Sequence, residues 1–199
     1  MVQTATDFGA LIGSRICHDL ISPVGAIGNG LELLGLTGAT DGPELDLISQ
    51  SVENANARIR FFRVAFGYCS DGQAVSLKEI KQILMDMSES SRTPIYWEHT
   101  DGCMRSDLQA VFLGIMCAET ALAFGGAISV SHDQGAWKIT AQSERLKVDV
   151  DLWQDMAAAQ KTVPITPDKV QFGLLPKVLS DLGRAHHLTL SPTHLCLTF

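Results

Sequence analysis

A heptad pattern of apolar residues limits the folds open to this chain. Apolar side chains recur at alternating steps of three and four at Leu45, Ile48, Val52, Ala55, Ile59, Phe62 and Phe66. Such steps place these side chains in one stripe along an α-helix, and other helices must cover that stripe. The pattern therefore predicts a helix from about Glu44 to Tyr68 that belongs to a helical bundle.

An earlier amphipathic helix is predicted from about Phe8 to Leu36, and the turn-rich stretch Gly35 to Pro43 joins the two helices into a hairpin. Two helices alone leave about half of each apolar stripe in water. The simplest cover is a two-fold dimer in which two hairpins form a four-helix bundle. The alternative is that the hairpin packs against the second half of its own chain.

The rest of the sequence alternates helix and strand patterns and predicts a second domain. The polar stretch Gly67 to Ala74 separates the two parts, which gives a helical domain over 1–73 and an α/β domain over 74–199. Helices are expected at the capping boxes Ser76 with Glu79 and Ser106 with Gln109, at Asp151–Ala159 and at Pro167–Leu182. Strands are expected at Thr93–Glu98, Ala127–His132, Ala136–Ala141, His187–Ser191 and His194–Phe199. The residues Asp133, Gln134 and Gly135 suit a hairpin turn between the second and third of these strands. The fold class is therefore α+β, with an N-terminal helical hairpin and a C-terminal α/β sandwich.

Charge and cysteine usage favour a protein partner in the cytoplasm. The net charge of −7, from 22 acidic and 15 basic residues, argues against nucleic acid or an anionic membrane as the partner. The five cysteines are scattered without a Cys-x-x-Cys pair, which is typical of reduced thiols. No apolar run approaches the roughly 18 residues that span a bilayer.

His18 is predicted to face water from the first helix. The apolar stripe of that helix consists of Ile12, Ile16, Leu20, Pro23, Ile27 and Leu34. At about 100° per residue, His18 lies roughly 165° from the centre of this stripe. Its neighbours on the outer face, Ser14, Ser22, Gly25 and Asn29, are small or weakly polar, so a partner can approach closely.

An exposed imidazole followed by a carboxylate can take part in phosphoryl transfer. Neutral imidazole is nucleophilic near neutral pH and can accept a phosphoryl group. If the Asp19 carboxylate bonds to one ring nitrogen of His18, it fixes the tautomer, leaves the other nitrogen free and stabilises the imidazolium that develops.

The segment from His18 to Pro23 resembles the phosphoacceptor box of two-component histidine kinases. In that box a histidine, an acidic residue, leucine, serine or threonine, and proline recur on the first dimerisation helix. Ile21 stands where the box often carries a basic residue.

The residues by which such kinases bind ATP are missing from the second half. In the helix from Ser106 to Phe124, Gly114 and Ala118 occupy the positions of the Mg²⁺-binding asparagines, and neither can ligate a metal. No Asp-x-Gly-x-Gly motif occurs between Ile139 and Thr166, and residues 171–175 are only a remnant of the second glycine motif. ATP binding is therefore expected to be lost, while the histidine remains.

This combination resembles the ChpT family of bacterial histidine phosphotransferases, which are dimers with a kinase-like bundle and a degenerate ATPase-like domain. The resemblance implies that His18 takes a phosphoryl group from the receiver aspartate of a hybrid histidine kinase and passes it to response regulators that control the cell cycle. The resemblance also implies that Asp19 orients His18 and that the chain binds no cofactor, because the receiver supplies Mg²⁺. On this resemblance, the residues expected on or beside the docking face are Ser14, Arg15, Ser22, Gly25, Ala26 and Asn29.

Two other functions stay open at this point. One is an ATP-dependent, autophosphorylating histidine kinase, and the other is a noncatalytic, kinase-like dimeric scaffold or inhibitor of a response regulator. A metal site is not expected, because the spacing of His186, His187, His194 and Cys196 fits no zinc pattern.

Overall fold

Two long antiparallel helices open the fold, as predicted. The structure, a computed structural model, describes residues 7–37, 42–70, 72–91, 93–158 and 162–199. Helix α1 spans Phe8–Thr37 and helix α2 spans Pro43–Ala65. Gly30 permits their close approach, because a Cβ at that position would lie 2.5 Å from Ile48 Cγ1. The turn predicted between them lies partly outside the described residues.

The C-terminal half is a five-stranded sheet with helices packed against it. Its elements are β1 (Ala74–Val75), α3 (Leu77–Ser90), β2 (Ile95–Trp97), β3 (Cys103–Met104), α4 (Arg105–Thr120), β4 (Ala127–Asp133), β5 (Ala136–Gln142), α5 (Val150–Ala157), a 3₁₀ turn (Pro167–Lys169), α6 (Val170–Asp181), β6 (His187–Leu190) and β7 (His194–Thr198). The strand order is β2-β4-β5-β7-β6, with β2 and β4 parallel and the other pairs antiparallel. The predicted α+β class is confirmed.

Two local signals predicted from sequence are confirmed. Ser76 caps α3 by accepting a hydrogen bond from the backbone N–H of Glu79. Gln134 and Gly135 connect β4 and β5 with φ angles of 51° and 84°. Positive φ at both central residues is what a two-residue hairpin turn of matching twist requires.

The capping box predicted at Ser106 with Gln109 is wrong. Helix α4 begins at Arg105, one residue before the predicted cap, and its N-cap residue Met104 makes no side-chain capping bond. The Gln109 side chain instead donates hydrogen bonds to the carbonyl oxygens of Ala65 and Gly67, at 3.1 Å each. Gln109 thus satisfies acceptors at the end of α2, where a helix leaves carbonyl groups without partners.

Helix α2 also ends before Tyr68, its predicted last residue. The Arg105 guanidinium donates a 2.6 Å hydrogen bond to the carbonyl oxygen of Arg63 in the last turn of α2. Gly67 packs on the same carbonyl so closely that any Cβ there would overlap it. Contacts with α4 therefore end α2. The apolar pattern of α2 alone could not predict this end, because the contacts come from another helix.

A continuous core joins the hairpin to the C-terminal half. The ring of Phe61 in α2 stacks on that of Phe112 in α4, with centroids 4.5 Å apart, and both residues are buried. Phe62, in the C-terminal part of the heptad stripe, is also buried within the chain, whereas Leu45, Val52 and Ile59 remain 38–48% exposed. The domain division at residue 73 stays a prediction. Among the described helices, none is both long and apolar enough to cross a membrane.

Candidate functional site

His18 projects into water from the middle of α1. Its side chain is 80% exposed. The stripe residues predicted to lie on the opposite side, among them Ile16, Leu20 and Ile27, are all partly buried. The amphipathic pattern of α1 therefore places His18 where a second macromolecule can reach it.

Asp19 lies against one nitrogen of the His18 ring. Its Oδ1 atom is 3.1 Å from His18 Nδ1, and its side chain is only 10% exposed. Within the part of the chain that the structure describes, no hydrogen-bond partner faces Nε2. A carboxylate accepts hydrogen bonds, so this contact favours the tautomer with its proton on Nδ1. The Nε2 lone pair then points outward as the available nucleophile.

Two arginines hold the other oxygen of Asp19. Arg15 Nε lies 2.8 Å from Oδ2, one helical turn before Asp19, and Arg58 Nη1 of α2 lies 3.7 Å from the same atom. Each carboxylate oxygen thus has its own partners, one facing His18 and the other facing the arginines. The carboxylate is thereby held in one orientation.

Arg15 also reaches the C-terminal half. Its Nη1 atom donates a 2.6 Å hydrogen bond to the backbone carbonyl of Asp168 in the 3₁₀ turn. The turn has its own supports, because Thr166 Oγ1 donates to the Asp168 carboxylate at 2.7 Å and Gln171 Nε2 donates to the Asp168 carbonyl at 3.2 Å. The bond from Thr166 is the main cause that lowers the pKa of Asp168 below its usual value.

Glu119, near the end of α4, belongs to the same group of charges. Burial raises the pKa of its carboxyl group, and the positive charges of Arg58 and Arg15 oppose that rise. The negative charge of Asp19 adds to the rise. The surroundings of Asp19 therefore include charged groups from α1, α2 and α4.

The sequence predicted His18 and Asp19 but missed Arg58, Glu119 and Asp168. Arg58 and Glu119 meet the site only through the packing of α2 and α4 on α1. Asp168 takes part through its backbone carbonyl, and its side chain gives no sign of that contact. The sequence signal that points to Arg58 is a basic residue on the inner face of the second helix.

Four of the six residues predicted for docking lie with His18 on the exposed side of α1. Ser14, Ser22, Gly25 and Asn29 are exposed, while Ala26 is partly buried. A Cβ added to Gly25 would meet nothing within 4 Å, so this part of the surface is open. The Arg15 side chain is 20% exposed and is already bonded within the chain. Docking by all six residues stays a prediction.

The positions compared above with a nucleotide site lie in packed structure. Gly114 and Ala118 are buried in α4, and a side chain on Gly114 would overlap Ile139 Cδ1. Gly173, in the supposed remnant of a glycine motif, lies inside α6, where a Cβ would stand 2.8 Å from the Phe8 ring of α1. That glycine permits contact between helices and forms no loop.

In the described part of the chain, the histidines in and beside the last two strands belong to no cluster of three possible metal ligands. His186 Nε2 lies 2.9 Å from the carbonyl oxygen of Met156, and His187 and His194 are exposed. Over residues 7–37, 42–70, 72–91, 93–158 and 162–199, no three histidine, cysteine or acidic side chains cluster closely enough to hold a metal ion.

Comparisons with known proteins agree on one family. Residues 77–192 match the family model for the histidine phosphotransferase C-terminal domain. The chain is 33% identical over 174 residues to protein phosphotransferase ChpT of Brucella abortus (strain 2308), which spans 84% of this chain and 83% of that protein.

Two solved structures are also similar to this chain. A bacterial phosphotransferase superposes with a TM-score of 0.80 at 27% identity, over 100% of this chain and 98% of that one. The histidine kinase AdeS of Acinetobacter baumannii superposes with a TM-score of 0.45 at 13% identity, over 91% of this chain and 95% of that one.

Proposed function

Since the chain belongs to the histidine phosphotransferase family, we propose that it is a phosphorelay intermediate whose phosphoacceptor is His18. It takes a phosphoryl group from the aspartyl phosphate of a receiver domain in a hybrid histidine kinase and passes it to the aspartate of a response regulator. The main observation in support of this proposal is that the His18 side chain is 80% exposed while the Asp19 carboxylate contacts its Nδ1 atom.

The chemistry needs one nucleophile and one bond exchange. The Nε2 lone pair of His18 attacks phosphorus, and the P–O bond to the receiver aspartate breaks with its electron pair, which leaves a carboxylate. The ring becomes a phosphorylated imidazolium that keeps its Nδ1 proton, and the Asp19 carboxylate 3.1 Å away stabilises the positive charge. The reverse exchange delivers the phosphoryl group to the next receiver.

The partner contributes the remaining charge. A phosphoryl group in transfer spreads negative charge over its oxygens, so it needs positioning and neutralisation more than covalent machinery. Mg²⁺ bound by the receiver supplies that neutralisation, and the open surface around Ser22, Gly25 and Asn29 gives the receiver room to bring its aspartate to Nε2.

The chain also acts as a homodimer in this proposal. Leu45, Val52 and Ile59 repeat at seven-residue intervals on α2 and stay 38–48% exposed. On α1, Ile21, Val24 and Leu31 are 57–70% exposed. Two exposed apolar rows on neighbouring helices are what a second copy of the hairpin covers in a four-helix bundle.

Label transfer distinguishes the three candidate functions. Purified protein is incubated with a phosphorylated receiver domain and, separately, with γ-labelled ATP alone. We expect acid-labile, base-stable label from the receiver only. H18Q should abolish the label, whereas H187Q, which removes another exposed histidine, should leave it unchanged. Label from ATP alone would identify a kinase instead, and a receiver that binds the chain without transferring label would identify a scaffold.

A further inference from the structure

We propose that Arg15 is a positioning residue that fixes Asp19 against His18 by anchoring itself on the backbone of the C-terminal half. The inference rests on the proposed function, because it assigns a role in preparing the phosphoacceptor. In this role, the C-terminal half helps to orient the phosphoacceptor without contacting the phosphoryl group.

The contacts form an unbroken series. His18 Nδ1 lies 3.1 Å from Asp19 Oδ1, Asp19 Oδ2 lies 2.8 Å from Arg15 Nε, and Arg15 Nη1 lies 2.6 Å from the Asp168 carbonyl oxygen. Asp168 is 153 positions beyond Arg15 in the sequence. The series therefore connects the reactive ring to the 3₁₀ turn through one side chain.

Only an arginine can make both of these contacts. Its planar guanidinium presents several N–H donors in a rigid fork, so Nε can face Asp19 while Nη1 faces the carbonyl of Asp168. A lysine at the same position carries one compact ammonium group on a flexible stem and does not span two acceptors in fixed directions. The low exposure of the Arg15 side chain, 20%, means that water competes weakly for these bonds.

The acceptor at the far end is itself held in place. The Asp168 carboxylate accepts a hydrogen bond from Thr166 Oγ1, and the N–H of Lys169 donates to the Thr166 carbonyl at 2.9 Å. Gln171, which is fully buried, donates to the same Asp168 carbonyl as Arg15 does. A turn held at three points offers Arg15 a fixed anchor and not a mobile loop.

Removal of the Arg15 guanidinium frees the Asp19 carboxylate to turn. Among the described residues, Arg58 is then the cation that pairs with Asp19, at 3.7 Å from Oδ2 and on a different helix. A carboxylate drawn toward Arg58 no longer holds the proton on His18 Nδ1, so the ring populates both tautomers. In the molecules that carry the proton on Nε2, the outward nitrogen is not nucleophilic.

The test compares R15A, R15K and R60A. Arg60 is the matched control, because it is an exposed arginine of α2 that pairs with Asp86 at 2.9 Å, away from this series. NMR of nitrogen-labelled protein reports the His18 tautomer without any partner. We expect one tautomer in the wild type and R60A, a mixture in R15A, and an intermediate mixture in R15K. Thermal unfolding of each variant verifies that it is folded.

Transfer kinetics supply the second readout. With a phosphorylated receiver in excess, R15A should lower the maximal transfer rate about tenfold, because part of the protein carries the non-nucleophilic tautomer and because Asp19 no longer stabilises the positive charge that develops on the ring. The receiver concentration that gives half of that rate should stay unchanged. A rise in that concentration at an unchanged maximal rate would show that Arg15 acts in docking, and would overturn the inference.

A second variant tests the anchor in the C-terminal half. The double substitution T166V with D168A removes the side-chain bond within the 3₁₀ turn and leaves the Asp168 carbonyl in place. We expect it to shift the His18 tautomer in the same direction as R15A, by less, and to add nothing in an R15A background. A His18 spectrum equal to that of the wild type in both variants would overturn the inference. Wild-type protein that accepts no phosphoryl group would overturn the proposed function instead.

Discussion

Gly114 of α4 packs directly on the Cδ1 methyl group of Ile139 in β5, in the space where a side chain would begin. Gly114 occupies the position compared above with a metal-binding asparagine. In this fold it is a point of contact between a helix and the sheet. The same glycine that removes a potential metal ligand also lets α4 lie close to the strand.

We therefore predict that G114A destabilises the protein. An alanine gains about 1 kcal/mol in helix propensity, but overfilling a packed core costs about 1–3 kcal/mol, so the net loss should be up to about 2 kcal/mol. I139V removes the opposing methyl group, and alone it should cost about 1 kcal/mol. Urea unfolding of both single variants and the double variant is the measurement. The double variant should lose less than the sum, whereas a stabilised G114A would contradict this packing.

The helices and most strands could be predicted from sequence, because local patterns set them. The Gln134-Gly135 turn and the Ser76 cap depend on residues within a few positions of each other. The false cap at Ser106 shows the limit of such reasoning. Gln109 had the right spacing to complete the box but is bonded to the end of α2 instead.

The open surface beside His18 gives a prediction about docking. Gly25 is exposed, and a Cβ there would meet nothing within 4 Å, so G25W fits the folded chain. The indole would project two helical turns from His18 on the same outer face and obstruct a receiver. Binding of a receiver domain, measured by calorimetry, should weaken at least tenfold in G25W and stay near the wild-type value in G25A. Equal binding by G25W would place the docking surface elsewhere.

The exposed heptad positions of α2 give a prediction about assembly. V52E places a charge in the middle of the proposed dimer interface, where burying an unpaired carboxylate costs several kcal/mol. Because Val52 is 40% exposed, the fold of the single chain should persist. Light scattering after size-exclusion chromatography should show a dimer for the wild type and a monomer for V52E. Q50E, an exposed control on another side of α2, should remain dimeric. A monomeric wild-type protein would contradict the proposed four-helix bundle.

Asp155 gives a prediction about acid stability. The buried Asp155 carboxylate accepts hydrogen bonds from Thr162 Oγ1 and from the backbone N–H groups of Thr162 and Val163. These bonds, the one from Thr162 Oγ1 first, lower the pKa of Asp155 below its usual 3.8. A folded pKa below the unfolded one means that the carboxylate stabilises the fold above the unfolded pKa, and that this stabilisation is lost as pH falls through the folded pKa.

The free energy of unfolding in urea, measured from about pH 7 to about pH 3, tests this sign. D155N should be less stable than the wild type near neutral pH, and the difference should shrink as the pH falls below about 4. A difference that stays constant over this range would show that the charge of Asp155 contributes nothing.

The centre of the site could be predicted from sequence, but its surroundings could not. The helical pattern of α1 places His18 outward, and the adjacent residue is its carboxylate partner. Arg58 and Glu119 reach Asp19 only after three helices have packed together. The bond from Arg15 to the Asp168 carbonyl joins residues 153 positions apart. Because every residue has a backbone carbonyl, the residue type at position 168 could not predict this contact.

Identification of the phosphorylated nitrogen tests most directly whether His18 is the phosphoacceptor. Protein phosphorylated by a receiver domain is analysed by phosphorus and nitrogen NMR and by mapping of the modified peptide. We expect a single phosphoryl group on Nε2 of His18, the outward nitrogen, with the proton retained on Nδ1 beside Asp19. Phosphate on Nδ1 of His18, or on any other residue, would contradict it.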